Sequence, residues 1–335
     1  MAQSDLGPPE NNSKPPRSPN DVTGGRLDRA IAGWKSIPGN LRGAIWMLLA
    51  TSFFSSMLVM IKLAGQRMHV TEVLFFRQLV MVAIVLPVII REFPRSLLSA
   101  RMDLQAIRVG AAFFAMLLGF TAIINMPLAT ATTISFAKTF IITILAIVML
   151  GESVGPRRWG ALVVGFIGVV IVAWPDPGES LNIYALMALG SAACVGLVMI
   201  LVRKLSQIDL PVTILTYQAV GIGILMFPPT LYFWVTPTFH DWILLFGIGC
   251  VSAIGQTCNI FALRAAEASA LAPLDYTRLI FTLILGWVVF AEWPADRVFL
   301  GAALIVAAAF YTLHRERLRA RKAATEAAAS ASSAT

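Results

Sequence analysis

Charge is scarce in this chain: 13% of its residues are charged, against 58% hydrophobic. Soluble domains carry roughly a quarter of their residues charged and cannot bury so much apolar surface in their own interior, whereas a bilayer can. Histidine is scarce too. His69, His240 and His314 all fall at the ends of apolar runs. There is no His-Glu-x-x-His, no pair of aspartates inside an apolar run, no Ser/His pair at depth and no P-loop, which argues against an intramembrane protease or an ATP-driven pump. A channel would want a pore-lining ring or a filter loop, and none is visible. The chain is therefore read as a non-enzyme that needs no cofactor and no metal. Cysteine is limited to Cys194, Cys250 and Cys258, all within apolar runs, so no disulfide framework follows. The first 40 residues are polar and Pro-rich without an apolar core, so no signal peptide is expected.

What the chain does have is ten apolar runs, at 43–62, 72–90, 107–126, 129–150, 158–174, 183–202, 211–230, 242–263, 270–291 and 298–313. Each approaches the roughly 20 residues that a helix needs to cross a bilayer, and a span must satisfy its backbone as a helix. The expected fold is an all-α integral membrane protein of ten transmembrane helices. Pro127, Pro156, Pro211 and Pro294 stand at run edges, where proline suits a first helical turn, and Pro228 with Pro229 closes the seventh run. Residues 1–25 read as disordered, and Leu27, Ile31 and Trp34 beside Arg26, Arg29 and Lys35 as either a short interfacial helix or a linker.

The net charge of +8 comes from basic residues clustered in the tails and between runs. That pattern is a topology signal rather than a nucleic-acid surface. With the N-terminus in the cytoplasm, the inner loops hold Arg91, Arg95, Arg101, Arg157, Arg158, Arg203, Lys204 and Arg264. The outer ones hold Arg67 and Arg297 beside Asp176, Glu179 and Asp241. This asymmetry predicts an N-in/C-in, multi-pass inner-membrane protein.

Charges inside the runs carry the functional argument, because a charge at bilayer depth costs about 3 kcal/mol on insertion scales. A step of 140 residues takes Lys138 to Arg278, Ser135 to Asp275, Phe136 to Tyr276, Glu152 to Glu292 and Gln78 to Gln218. With five runs per half, the second half inserts upside down relative to the first, giving inverted repeats. Lys138 and Arg278 sit near the centres of the fourth and ninth runs, with Ser135 on the Lys138 face and Asp275 on the Arg278 face. Two readings stand. One is a cavity for an anionic group, with Lys138, Arg278, Asp275, Tyr276, Ser135, Gln256 and Asn259 as candidate substrate-binding residues. The other is a structural clamp in which Asp275 neutralises Arg278. Gln256 and Asn259 read equally as substrate contacts or helix bridges, and Gln78 and Gln218 as helix–helix bonds. Arg77, Glu152, Arg157, Glu292 and Arg297 are read as gate or structural pairs. Arg77 is set beside Glu72, Glu152 beside Arg157 and Glu292 beside Arg297. Arg108 is expected to snorkel to the inner interface.

The runs Pro273-Leu274-Asp275-Tyr276-Thr277-Arg278-Leu279, Phe290-Ala291-Glu292 and Leu300-Gly301-Ala302-Ala303-Leu304-Ile305 resemble the second repeat of the EamA-type drug/metabolite transporter superfamily. Pro127-Leu128-Ala129-Thr130-Ala131, Leu150-Gly151-Glu152 and Gly155-Pro156-Arg157-Arg158-Trp159 are similar to its first, and Phe75-Phe76-Arg77 to the start of its second helix. The resemblance implies a cytoplasmic tail over 1–41, one repeat over 42–174, a second over 183–314, and a basic then Ala/Ser-rich tail over 315–335. It implies secondary transport of a small organic metabolite, on a branch resembling S-adenosylmethionine and riboflavin uptake carriers. The expected partners are a small-molecule substrate, anionic or zwitterionic, and membrane lipid, not nucleic acid, with a homodimer left open. The alternatives are an exporter of amino acids or drugs, and a non-transporting membrane partner or lipid-handling protein.

Overall fold

The computed structural model describes residues 38–94, 97–150, 156–174, 182–266, 268–312 and 314, which are helical or in turns, with no strand among them. The leader through residue 37, Glu152 and the tail from Arg315 lie outside the described residues. The helices are α1 (Gly39–Ala64), α2 (Val70–Arg91), α3 (Met102–Asn125), α4 (Leu128–Ser135), α5 (Ala137–Leu150) and α6 (Pro156–Ala173). They continue as α7 (Ile183–Leu205), α8 (Pro211–Tyr232), α9 (Phe239–Ala265), α10 (Ala268–Asp275) and α11 (Thr277–Phe290), then α12 (296–312). Taking α4 with α5 and α10 with α11, eight stretches among the described residues are long and apolar enough to cross a membrane, and Trp159–Ala173 is a shorter apolar helix.

Helix starts follow the local chemistry. Pro127 is the N-cap of α4, and Pro156 and Pro211 open α6 and α8, positions where a missing N–H costs nothing. The Asn182 side chain accepts from the Tyr184 N–H at the start of α7, and Thr238 and Asp241 form a capping box on α9. Pro228 and Pro229 do not end the seventh run as expected, since α8 continues to Tyr232. Membrane helices tolerate proline where hydroxyls and neighbours engage the freed backbone. Directly after the two prolines, the Thr230 hydroxyl donates to the carbonyls of Met226 and Thr71 and so ties α8 to α2.

The runs at 129–150 and 270–291, expected as continuous helices, are broken at Phe136 and Tyr276. The two breaks have the same geometry, φ −70° and ψ −10° at Phe136 and φ −70° and ψ −15° at Tyr276. Each is a tight turn: Thr139 N–H donates to Phe136 O and Leu279 N–H to Tyr276 O, both at 3.0 Å. The causes differ. Pro273 in α10 has no N–H to return to the preceding turn. In α4, Thr132, Thr133 and Ser135 direct their hydroxyls back onto carbonyls of their own helix at 2.7–2.8 Å, a pattern that bends helices.

The step of 140 seen in the sequence recurs in the elements: Leu128–Ser135 moves onto Ala268–Asp275 and Ala137–Leu150 onto Thr277–Phe290. Contacts follow the same exchange. The most extensive are α1 with α9 and α3 with α7; α11 packs on α1 as α5 packs on α7, and α2 meets α9 as α8 meets α3. Across the middle, α4 lies against α11. Small residues permit the closest crossings. At Gly301 of α12 an added Cβ would meet the Gly168 carbonyl of α6 at 2.6 Å, so only glycine allows that backbone approach.

Candidate functional site

The two breaks bring the repeat-related residues together. The Phe136 and Tyr276 rings stack with centroids 4.7 Å apart and planes 25° from parallel. The next residues open α5 and α11, so Lys138 and Arg278 each sit at a half-helix N-terminus, where the backbone dipole already favours negative charge. Both side chains line one hollow of about 280 Å³. Ser135 and Thr132 border it with them, while Met116, Gly119 and Phe120 of α3 and Ala188, Ser191 and Ala192 of α7 supply facing walls. The α3–α7 wall closes tightly because Gly119 lies against Ser191: a Cβ there would meet Ser191 Oγ at 2.5 Å. Ser191 Oγ in turn donates to Ala115 O at 2.7 Å.

The charges in this hollow do not balance. Lys138 Nζ lies 3.7 Å from Asp275 Oδ2, within ion-pair reach but too far for a good hydrogen bond. It also stands 5.3 Å from the Phe136 ring centroid. Among the described residues, Arg278 has no carboxylate within 4.0 Å. Its Nε is buried without a hydrogen-bond partner, and its guanidinium lies 5.1 Å from the Phe54 ring centroid. Lys138 and Arg278 against Asp275 leave one positive charge in excess.

The other candidates fall elsewhere. Tyr276 is engaged with Phe136 and does not line the hollow. Gln256 and Asn259 are also off its wall; Gln256 is exposed and Asn259 half-buried on α9. Their place in the eighth run made them candidates, but it does not set which helix face turns to this hollow. The expected clamp of Asp275 on Arg278 is not formed, since Asp275 reaches Lys138 of the opposite half instead.

The peripheral pairs also re-sort. Glu292 does not pair with Arg297 at the start of α12. It pairs with Lys62 of α1, and its second oxygen accepts the Leu128 N–H at 3.0 Å, capping α4. Lys62 Nζ also donates to Met126 O at 2.7 Å. Ala291, in the left-handed region at φ 53°, turns the chain so that Glu292 faces inward. Arg297 borders a separate recess with Val170, Ile171 and Trp174. Arg77 donates from Nε to Ser252 Oγ at 3.1 Å, while a Glu72 oxygen accepts the Val235 N–H, so these two do not pair. Glu152 and the Arg157 side chain lie outside the described residues.

Gln78 and Gln218 do bridge helices: Gln78 Nε2 donates to Ala219 O, and Gln218 accepts from Arg108. Arg108 does not snorkel. It is fully buried and donates to Gln105, Gln218 and the Ile214 carbonyl, because a buried acceptor set outcompetes the interface. Beside it, the Asp209 carboxylate accepts from Ser99, the Ala100 N–H and Gln105. Burial pushes that carboxyl up, but these hydrogen bonds outweigh it and hold it below its ordinary range. Sequence reasoning missed Lys62 as the partner of Glu292. The available signal was a lysine near the end of an apolar run with no acid within helical reach.

Comparison with known proteins agrees with this architecture. A family model described as "EamA-like transporter family" matches residues 41–174 and again 182–313. An S-adenosylmethionine uptake transporter of Rickettsia bellii is 29% identical over 275 residues, covering 82% of this chain and 94% of the relative. A riboflavin transporter of Brucella anthropi is 27% identical over 291 residues, 83% of this chain and 100% of the relative. A pseudopaline exporter of Pseudomonas aeruginosa is 26% identical over 268 residues, covering 79% and 94%. A solved crystal structure superposes with a TM-score of 0.53 over 84% of this chain and 98% of the other, at 17% identity, a likeness of fold.

Proposed function

The chain belongs to the EamA-like transporter family, and on that premise we propose that it is a secondary carrier for a small organic metabolite bearing an anionic group. It crosses the inner membrane ten times as two inverted five-span repeats, N-in and C-in, and works by alternating access. Lys138 and Arg278 hold the anionic group, and Ser135 offers a hydroxyl beside them. The observation that carries the reading is one hollow bordered by a cation from each half of the chain, with positive charge in excess. An arginine with a buried, unpartnered donor gains most from an anion that supplies both charge and acceptor. The N-termini of α5 and α11 add to the same field.

The test is flux. Purified protein in liposomes is offered a panel of labelled metabolites that includes S-adenosylmethionine, riboflavin and small carboxylates. Uptake of an anion-bearing compound is expected, and Lys138→Ala abolishes it while the protein still inserts. Unchanged flux in that variant would assign Lys138 to structure. Direction has two readings, since relatives are named for uptake and for export; loading the liposomes on either side separates them.

A further inference from the structure

The repeat gives the hollow described above a counterpart elsewhere in the fold. Because the step of 140 carries α4 and α5 onto α10 and α11, every residue on the wall has a counterpart. Lys138 and Arg278 are each other's counterparts and both line the hollow. A mirror half-site therefore shares these two cations and extends from them in the opposite direction. Its walls are read off directly. Met116 and Gly119 of α3 become Gln256 and Asn259 of α9; Ala192 of α7 becomes Ser52 of α1; Ser135 becomes Asp275. The α1–α9 contact that would frame it is the counterpart of the α7–α3 contact that frames the hollow.

The two halves differ at the positions of Met116, Gly119 and Ala192, although the hollow also carries the hydroxyls of Thr132, Ser135 and Ser191. Where one has a thioether, a glycine and an alanine, the other has two carboxamides and a hydroxyl. Gln256 and Asn259 stand in the inner half of Phe239–Ala265, a helix long and apolar enough to cross a membrane. Gln256 is exposed, Asn259 is half-buried, and among the described residues neither side chain has a hydrogen-bond partner. In lipid, two unpaired carboxamides on one helix would be costly, whereas a water-filled path satisfies them.

We propose that Gln256, Asn259 and Ser52 wall a second, hydrogen-bonding half of the path on the far side of Lys138 and Arg278. The substrate it serves is amphipathic. Its apolar part lies against Met116 and Gly119, its anionic group sits at the two cations, and a hydrogen-bonding part faces Gln256 and Asn259. The proposal rests on the carrier reading above and deepens it.

The test needs no identified substrate. In a background with Cys194, Cys250 and Cys258 replaced by alanine, Met116→Cys, Gln256→Cys and Asn259→Cys are introduced singly. Each is exposed to a membrane-impermeant maleimide in right-side-out and in inverted vesicles. The expected result is that Gln256→Cys and Asn259→Cys label from one face and Met116→Cys from the opposite face. Labelling of positions 256 and 259 only by a lipid-permeant maleimide, or not at all, or from the same face as position 116, overturns the proposal, as does a Met116→Cys that labels from neither face. If the cysteine-free background fails to insert, the same variants are read over the labelling of the native cysteines. A flux panel that stays silent would remove the carrier reading, while the sidedness of labelling would judge the two half-sites by themselves.

Discussion

Among the described residues three ion pairs join distant parts of this chain, Arg67 with Asp241, Lys62 with Glu292 and Lys138 with Asp275, and the last two are built differently. Lys62 and Glu292 form a clamp at the ends of α1 and α11: their side chains are 6% and 25% exposed, and both groups have further hydrogen bonds, to Met126 O and Leu128 N–H. Lys138 and Asp275 form an open pair, 3.7 Å apart and 23% and 31% exposed. Desolvating a charge is costly unless the remaining donors and acceptors are filled. The clamp meets that requirement within the protein. The open pair, with Arg278 beside it, does not: Lys138 and Asp275 stand 3.7 Å apart and Arg278 Nε has no hydrogen-bond partner among the described residues. A charge inside a span is thus informative through its unfilled valences more than through its presence.

The largest effect expected on this contrast is at the clamp. Glu292→Gln leaves Lys62 buried beside a neutral partner and should destabilise the protein by about 3 kcal/mol or more. A detergent thermal melt reads this, and Lys62→Met combined with Glu292→Leu should recover much of the loss. At the open pair the expectation reverses: Lys138→Ala should leave the melt nearly unchanged while weakening substrate binding by about 2 kcal/mol, roughly thirtyfold. Equal effects on both measurements would erase the distinction between the two pairs.

A smaller effect lies at Asp209, outside the spans. Its carboxyl is held below the ordinary range in the folded state. Its contribution is therefore complete above about pH 4, the unfolded carboxylate value, and is lost as pH falls through the lowered native value. Asp209→Asn should remove that part of the acid dependence of the melt and cost about 1 kcal/mol at neutral pH. The smallest effect belongs to Arg101 and Asp103, an exposed pair at the start of α3. Arg101→Ala should leave the melt unchanged, because water and salt screen such pairs.

Much of the architecture was legible residue by residue. The apolar runs coincide with helices, and the marks 140 apart, Lys138 with Arg278 and Phe136 with Tyr276, fall at equivalent points of two broken spans. The breaks themselves were less legible. Pro273 offered a signal in one half, but in the other the bend comes with three hydroxyls that each look ordinary in a helix. Lys138 and Arg278 stand out in the sequence by depth and by the step of 140, and both border the hollow. Gln256 and Asn259 stand out by their place in the eighth run, but the hollow seen here lies against a different helix.

By itself the sequence determined that the chain is helical, where its apolar spans run, and which polar residues recur between its halves. These properties depend on neighbours a few positions away and on a fixed offset along the chain. Only the tertiary structure decided who faces whom: that Glu292 is met by Lys62, 230 residues distant, instead of by Arg297, that Arg108 is buried, and that Asp275 reaches across to Lys138. Partnership between spans depends on how closely two helices approach and on which face each turns inward. That is a property of the packed bundle, and no periodicity within a single run encodes it.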